Sequence, residues 1–224
     1  MRRRTSILGD GDFLAVLADV TDFCRLFLCR HPELAPAHSG VAVGSGEATL
    51  GRRGQDTVLA WLDVFGRKKL DSVFAADRAH CSEPAAAVAM AKGLEVTTEE
   101  RLRDQDLGSW QGRKWDDIAK DDPLRARDFF SEFGELTAPG GESLGDAIER
   151  MLSWWNTIAP VMAGRSLLVV TAGGMISGFA AAMLGMRLSR APSLALPLGG
   201  IGILDIFQNG ARVSAWNATA LRDA

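Results

Sequence analysis

The sequence predicts a three-layer α/β/α fold built on a mostly parallel central sheet, and three observations carry that expectation. The short apolar runs "RLFLC" at 25–29, "SVFAA" at 72–76 and "SLLVVT" at 166–171 lack polar alternation, as strands buried on both faces do. Stretches with apolar residues at helical spacing lie between them, so strand and helix alternate and right-handed crossovers join parallel strands. At 224 residues with 47% hydrophobic content, the chain fits one such domain with a sizeable core.

Taken in order, Phe13, Leu14, Val16, Leu17 and Val20 fall at helical spacing, which predicts a short amphipathic helix over 12–23. Residues 1–24 therefore read as an amino-terminal helical extension and 25–224 as a single domain. The extension either caps the core or forms a dimer contact. "RLFLC" is the first buried strand. The Gly-, Pro- and Ser-rich stretch from Glu33 to Gly51 reads as a long loop, and a loop of that length directly after a strand is often functional. Val58, Trp61, Leu62 and Phe65 mark one face of a helix over about 53–65, and "SVFAA" leads into an alanine-rich helix. Residues 101–118 read as irregular, with a helical stretch over about 123–133. Leu144, Ile148, Met151, Leu152 and Trp155 mark another amphipathic helix, entered through "PGGES". "SLLVVT" then runs through Gly173 and Gly174 into an apolar helix. "GIGILDIF" and "ARVSAW" around "QNG" read as a closing hairpin, with Asn-Gly supplying the turn.

Composition excludes several classes. A net charge of −3 offers no general electrostatic reason to bind nucleic acid. No apolar run approaches the ~20 residues needed to cross a bilayer, and "FLAVLADV" with its Asp19 is a poor signal-peptide core. Cys24, Cys29 and Cys81 are an odd count without CxxC spacing, which argues against a disulfide framework. The expectation is a cytoplasmic protein with no membrane or nucleic-acid partner. Its three histidines, His31, His38 and His80, have no local ligand spacing, so no metal is implied, and no cofactor.

In an open, mostly parallel sheet the ligand site lies beyond the carboxyl ends of the strands. That directs attention to Arg30–His31, to Asp77 through His80, and to Thr171 through Gly174. A histidine can attack phosphorus as neutral imidazole while an adjacent guanidinium holds the phosphoryl oxygens. An isolated Arg-His pair is equally compatible with a buried histidine paired to a carboxylate.

The order of motifs resembles that of the histidine phosphatase superfamily, with its phosphoglycerate mutase-like fold. "RHPE" resembles the family's Arg-His-Gly-Glu motif, in a proline variant met near ribazole-phosphate phosphatases. "VFAADRAHCSEPA" is similar to "VYSSDLxRAxxTA", and "LRDQDLGSWQGRKWDDI" to "LREIDFGxWEGxxWDEI". "PGGES" recurs before the long helix, and "LLVVTAGGMISG" resembles "VLVVSHGGVIRA". The likeness runs from about Leu26 to Asn217. It implies that His31 is the nucleophile that becomes phosphohistidine, that Arg30 is the first phosphate-clamping arginine, and that Asp104 stands where the family has its general acid, usually Glu. It also implies a second clamping arginine at the position of His80 and a second pocket histidine at the position of Ala172.

Those departures fall where phosphoryl transfer needs charge stabilisation. Removing one preorganised donor commonly costs ~10²–10³ in rate, and displacements of ~1 Å can cost ~10²-fold. Arg78 is a candidate to compensate by swinging in, and Arg52 or Arg53 less so. Thr171, Ala172 and Gly173 are expected to line the ligand, with the Gly173 and Gly174 amides able to face an anion. Trp110, Trp115, Trp154 and Trp155 read as packing. The expected function is to act on or bind a small phosphorylated or anionic metabolite, with phosphomonoester hydrolysis through His31 weak or altered. The alternatives are an inactive pseudophosphatase with a binding or assembly role, and an enzyme repurposed for acid/base chemistry. A homodimer is compatible with either.

Overall fold

The structure, a computed structural model, describes residues 23–131 and 135–218. The expected helix over 12–23 lies outside them except for Phe23, which precedes the first strand. Six strands form one sheet: β1 (Cys24–Arg30), β2 (Ser72–Ala75), β3 (Val96–Thr98), β4 (Ser166–Thr171), β5 (Ile201–Phe207) and β6 (Gly210–Ala218). Their order is β3-β2-β4-β1-β5-β6, and only β5 runs against the others. Among the described residues six α-helices complete the layers: α1 (Arg52–Gly66), α2 (Ala79–Ala91), α3 (Trp115–Asp121), α4 (Pro123–Ser131), α5 (Leu144–Ile158) and α6 (Gly173–Met183).

The register shows why two helical layers are needed. Phe27, Leu168 and Val73 are paired across β1, β4 and β2, so they share one face and Phe74 points to the other. Phe27 meets Phe65 of α1 edge-on at 5.5 Å, whereas Phe74 meets Trp154 of α5 at 5.3 Å. The α1 and α5 helices therefore cover opposite faces. This leaves β1 and β4 buried almost throughout, as their unbroken apolar sequence requires.

The long α5 begins at a capping box. The Ser143 hydroxyl accepts from the Asp146 amide at 3.0 Å, and the Asp146 carboxylate accepts from the Ser143 amide at 3.0 Å, satisfying two donors of the first turn. Its apolar stripe, Leu144, Ile148, Met151 and Trp155, is buried as its spacing predicts. At Gly178 of α6 an added Cβ would stand 2.5 Å from Ile148 Cγ1, so glycine is what lets α6 close on α5.

Two features differ from the sequence reading. The strand β3 was missed because "VTT" is three residues long at the sheet edge, too short to show a period. The region read as irregular over 101–118 ends in α3, whose charged surface hides its single buried apolar residue, Ile118. The three cysteines are buried free thiols. Among the described residues no helix is long and apolar enough to cross a membrane.

One buried charge ties the inverted strand to its neighbours. Asp205 on β5 is fully buried and accepts from Arg25 on β1 at 2.8 Å and 3.1 Å, from Arg212 on β6 at 3.2 Å and 3.1 Å, and from Ser214. Burial pushes its carboxyl up, but Arg25, Ser214 and Arg212 outweigh that and hold it below the ordinary value. A depressed folded pKa means that the stability it contributes is present above the unfolded value near pH 4 and is lost as pH falls through the folded one. Asp205→Ala is expected to lower unfolding stability by about 2–4 kcal/mol, limited because both arginines keep some access to water. Urea unfolding at pH 7 and pH 3 checks this: the loss should be large at pH 7 and shrink at pH 3.

Candidate active site

The carboxyl ends of β1 and β4 lie side by side. Arg30 pairs with Thr171, and the His31 amide donates to the Thr171 carbonyl at 3.0 Å. Positions 31 and 172 are thus neighbours across the strand pair, His31 on one side and the methyl of Ala172 on the other. His31 is buried, and its Nδ1 lies 2.9 Å from the Pro32 carbonyl. A carbonyl only accepts, so Nδ1 carries the hydrogen and Nε2 holds the free lone pair. Burial, with smaller repulsion from His80 and Arg30, lowers this imidazole to about 4 against the favourable Pro32 bond. His31 is therefore neutral at physiological pH, the form in which it is a nucleophile.

The Arg30 side chain is aimed the other way, toward the start of α6. Its Nη1 donates to the Leu196 carbonyl at 2.6 Å. A Cβ at Gly173 would stand 2.9 Å from Arg30 Nε, so any larger residue there would displace the guanidinium. His80, the second residue of α2, is buried and packs edge-on to His31 with ring centroids 4.9 Å apart. Burial lowers its pKa, while the charge of Glu47 and a bond to the Ala48 backbone oppose that. The Nδ1 of His80 and the Nε of Arg30 are the buried side-chain nitrogen or oxygen atoms that lack a hydrogen-bond partner among the described residues.

Asp104 is held by its surroundings rather than by a regular element. The adjacent Arg103 pairs with Asp77 at the end of β2. Arg150 on α5 donates to the Arg101 carbonyl at 2.8 Å and to the Arg103 carbonyl at 3.2 Å, and pairs with Glu142 at 2.7 Å. Burial raises the Asp104 carboxyl, opposed by the Gln105 amide, Arg30 and Arg150. A carboxyl displaced upward retains its proton to higher pH, which suits a general acid.

Arg30, His31 and Asp104 line one cavity of about 600 Å³. Its outer wall joins the loop after His31 to the segment before α3. The Ala42 amide donates to the Arg113 carbonyl, the Gly112 amide to Ala42 and the Trp115 amide to Gly40, all at 2.8–2.9 Å. Behind that wall Ala42, Leu107, Trp110, Ile118, Ala126 and Ala138 form a small second core. A different cavity of about 650 Å³ opens at the other end of the sheet, between Trp155, Met183 and Phe207. Among the described residues its lining holds no titratable group besides the Cys24 thiol, which burial pushes up to about 12.

The other residues singled out in the sequence are placed as follows. Thr171 is fully buried, and its hydroxyl donates to the Leu102 carbonyl at 2.6 Å, so it supports the segment that carries Asp104. Arg78 is committed to the loop, donating to the Ser45 carbonyl at 2.7 Å and to Glu47 at 3.1 Å. Arg52 and Arg53 are exposed at the start of α1, Arg53 lying 4.0 Å from Glu33. Ala172 is the residue before α6, and Gly173 its first. Trp115, read from sequence as packing, lines the cavity, as do Leu107 and Leu198. No sequence signal separated these three from ordinary apolar residues. Among the described residues no group of three or more His, Cys, Asp or Glu could hold a metal ion.

The neutral histidines set a pH dependence. An oxyanion favours the protonated ring, so its affinity must rise as pH falls through the range where the rings charge. Sulfate keeps its charge across this range, and its affinity is expected to increase roughly tenfold or more between pH 8 and pH 5. Calorimetric titration measures it. A flat profile would show that neither ring faces the anion.

Comparison with known proteins places this geometry. Residues 26–219 match the profile of the histidine phosphatase superfamily (branch 1). The chain is 27% identical over 186 residues to glucosyl-3-phosphoglycerate phosphatase of Mycobacterium tuberculosis, covering 80% of this chain and 81% of that protein. It is 25% identical over 166 residues to phosphoserine phosphatase 1 of Hydrogenobacter thermophilus, covering 74% and 79%. Among solved structures, the alpha-ribazole phosphatase of Shigella flexneri superposes with a TM-score of 0.80 at 20% identity, over 89% of this chain and 99% of that one. With paired strand ends, a neutral histidine and a matching profile over most of its length, the chain belongs to the histidine phosphatase superfamily, branch 1.

Proposed function

We propose that the protein binds a small phosphorylated or otherwise anionic metabolite at Arg30 and His31, and that it hydrolyses phosphomonoesters through His31 only weakly. The observation that carries this reading is the pair of buried, unpartnered nitrogens, Arg30 Nε and His80 Nδ1, on either side of His31. Buried polar atoms almost always have partners, and an oxyanion supplies acceptors for Nε and, once His80 is protonated, for Nδ1. The relatives named above, phosphatases of small phosphorylated compounds, support the same class.

In the reaction, His31 Nε2 attacks phosphorus, the P–O ester bond breaks, and the leaving oxygen takes the proton of Asp104. Water then attacks the phosphorus of the phosphohistidine, the P–N bond to His31 Nε2 breaks and restores the imidazole, the water's proton returns to Asp104, and inorganic phosphate leaves. Every acid and base needed is present. What is thin is stabilisation of the equatorial oxygens: one guanidinium with Nη1 already engaged by Leu196, a neutral imidazole at 80 and a methyl group at 172. Loss of one such donor costs ~10²–10³ in rate. The buried Ala172 methyl beside His31 also favours a second reading, a binding protein that does not turn over.

Two experiments separate these readings. The double change His80→Arg with Ala172→His is expected to raise hydrolysis of p-nitrophenyl phosphate by about 10²-fold or more. An unchanged rate would mean that these positions are not what limits the site. Acid-labile phosphate on His31, absent in His31→Ala, is expected in the wild-type protein with a reactive phosphoryl donor. Absence of label in wild type together with measurable phosphate binding would leave the binding-protein reading standing.

A further inference from the structure

We infer that the ligand's body, beyond its anionic head, is uncharged and mostly apolar, with no second acidic group; this rests on the head-group reading above. Outward from Arg30, His31 and Asp104 the cavity is walled by Pro36, Val41, Val43, Leu107, Trp115 and Leu198. Trp115 is held firmly, 6.2 Å from Trp110 and 5.1 Å from Phe130 between ring centroids. It presents a broad apolar surface of fixed orientation, of the kind that receives a ring or a short aliphatic chain.

The charges on the lining point the same way. Among the described residues Arg30 is its one fixed cation, and Glu33 and Asp104 are acids. His38 reaches the lining, with its Nε2 engaged by the Thr49 amide at 3.3 Å. The arginines on neighbouring segments are engaged elsewhere: Arg78 with Glu47, Arg103 with Asp77 and Arg150 with Glu142. Lys114 is exposed and outside the lining. A ligand carboxylate placed beyond the head would meet apolar side chains and Glu33, whose neighbouring cation, the exposed Arg53 at 4.0 Å, lies outside the lining, so it would lose hydration for at most a weak, solvated partner.

Titration of the wild-type protein at pH 7 with inorganic phosphate, phenyl phosphate and phosphoserine, read by tryptophan fluorescence, tests this. Phenyl phosphate is expected to bind at least about tenfold more tightly than either inorganic phosphate or phosphoserine. Trp115→Ala should remove that advantage, phenyl phosphate and inorganic phosphate then binding within about twofold of each other, read by calorimetry. Because Trp115 also packs against the second core, Leu198→Lys provides a variant at a residue 44% exposed. It is expected to raise phosphoserine affinity selectively, by about fivefold or more. Phosphoserine binding as tightly as phenyl phosphate, while inorganic phosphate also binds, overturns the inference and leaves the head site intact. Failure of all three, inorganic phosphate included, overturns the head-group reading and this inference with it.

Discussion

The parallel pairing of β1 with β4 is the interaction on which the site depends. Both strands are buried almost throughout, so their register is held by packing on two faces as well as by the ladder. Side chains alternate along a strand, and a slip of one residue would exchange the faces of every side chain. In the observed register, Arg30 opposite Thr171, His31 falls on the face where α2 brings His80, and Arg30 is left to lie against Gly173 at the start of α6. The same pairing makes position 172 the direct neighbour of His31. Whatever stands there, a ring or a methyl, acts on the immediate surroundings of His31.

Burial at those strand ends has two opposed chemical effects. It depresses His31 to about 4 and raises Asp104, so the imidazole is unprotonated and the carboxyl retains its proton more readily, the states that the proposed phosphoryl transfer would use at its start. The same desolvation lowers His80 and Arg30, disfavouring the positive charges that would stabilise the transferred phosphoryl group. A site with two guanidiniums tolerates this because arginine stays charged in nearly any environment. An imidazole at position 80 does not. On the proposed reading, the weakness therefore lies in the oxyanion surroundings and not in His31.

Much of this was legible in the chain. "SLLVVT" and "RLFLC" stand out as buried strands because an unbroken apolar run of that length has few other uses, and "PGGES" marks the entry to α5. The order of motifs exposed His80 and Ala172 as departures. Contacts that depend on tertiary placement were not legible. Nothing in sequence brings His80 onto the edge of His31, 49 positions away, or turns the Thr171 hydroxyl to Leu102 and away from the ligand. Arg78 was a plausible second clamp until the loop carrying Ser45 and Glu47 folded onto it. Trp115 carries no mark in the sequence that separates a cavity wall from a packing residue, since both are apolar surfaces differing only in what they face.

The described residues pack into two cores. The larger one holds the sheet and, with it, the ends of β1 and β4 and the first turns of α2 and α6. The smaller one gathers around Trp110 and Ile118 and is joined to the loop after His31 by backbone hydrogen bonds between 40–42 and 112–115. Positions 80 and 172 belong to the first support, whereas Leu107 and Trp115 of the cavity wall belong to the second. Residues without shared packing partners contribute almost independently. On the proposed reading, a methyl at 172 and an imidazole at 80 are therefore compatible with an intact apolar wall, and loss of turnover would not entail loss of binding.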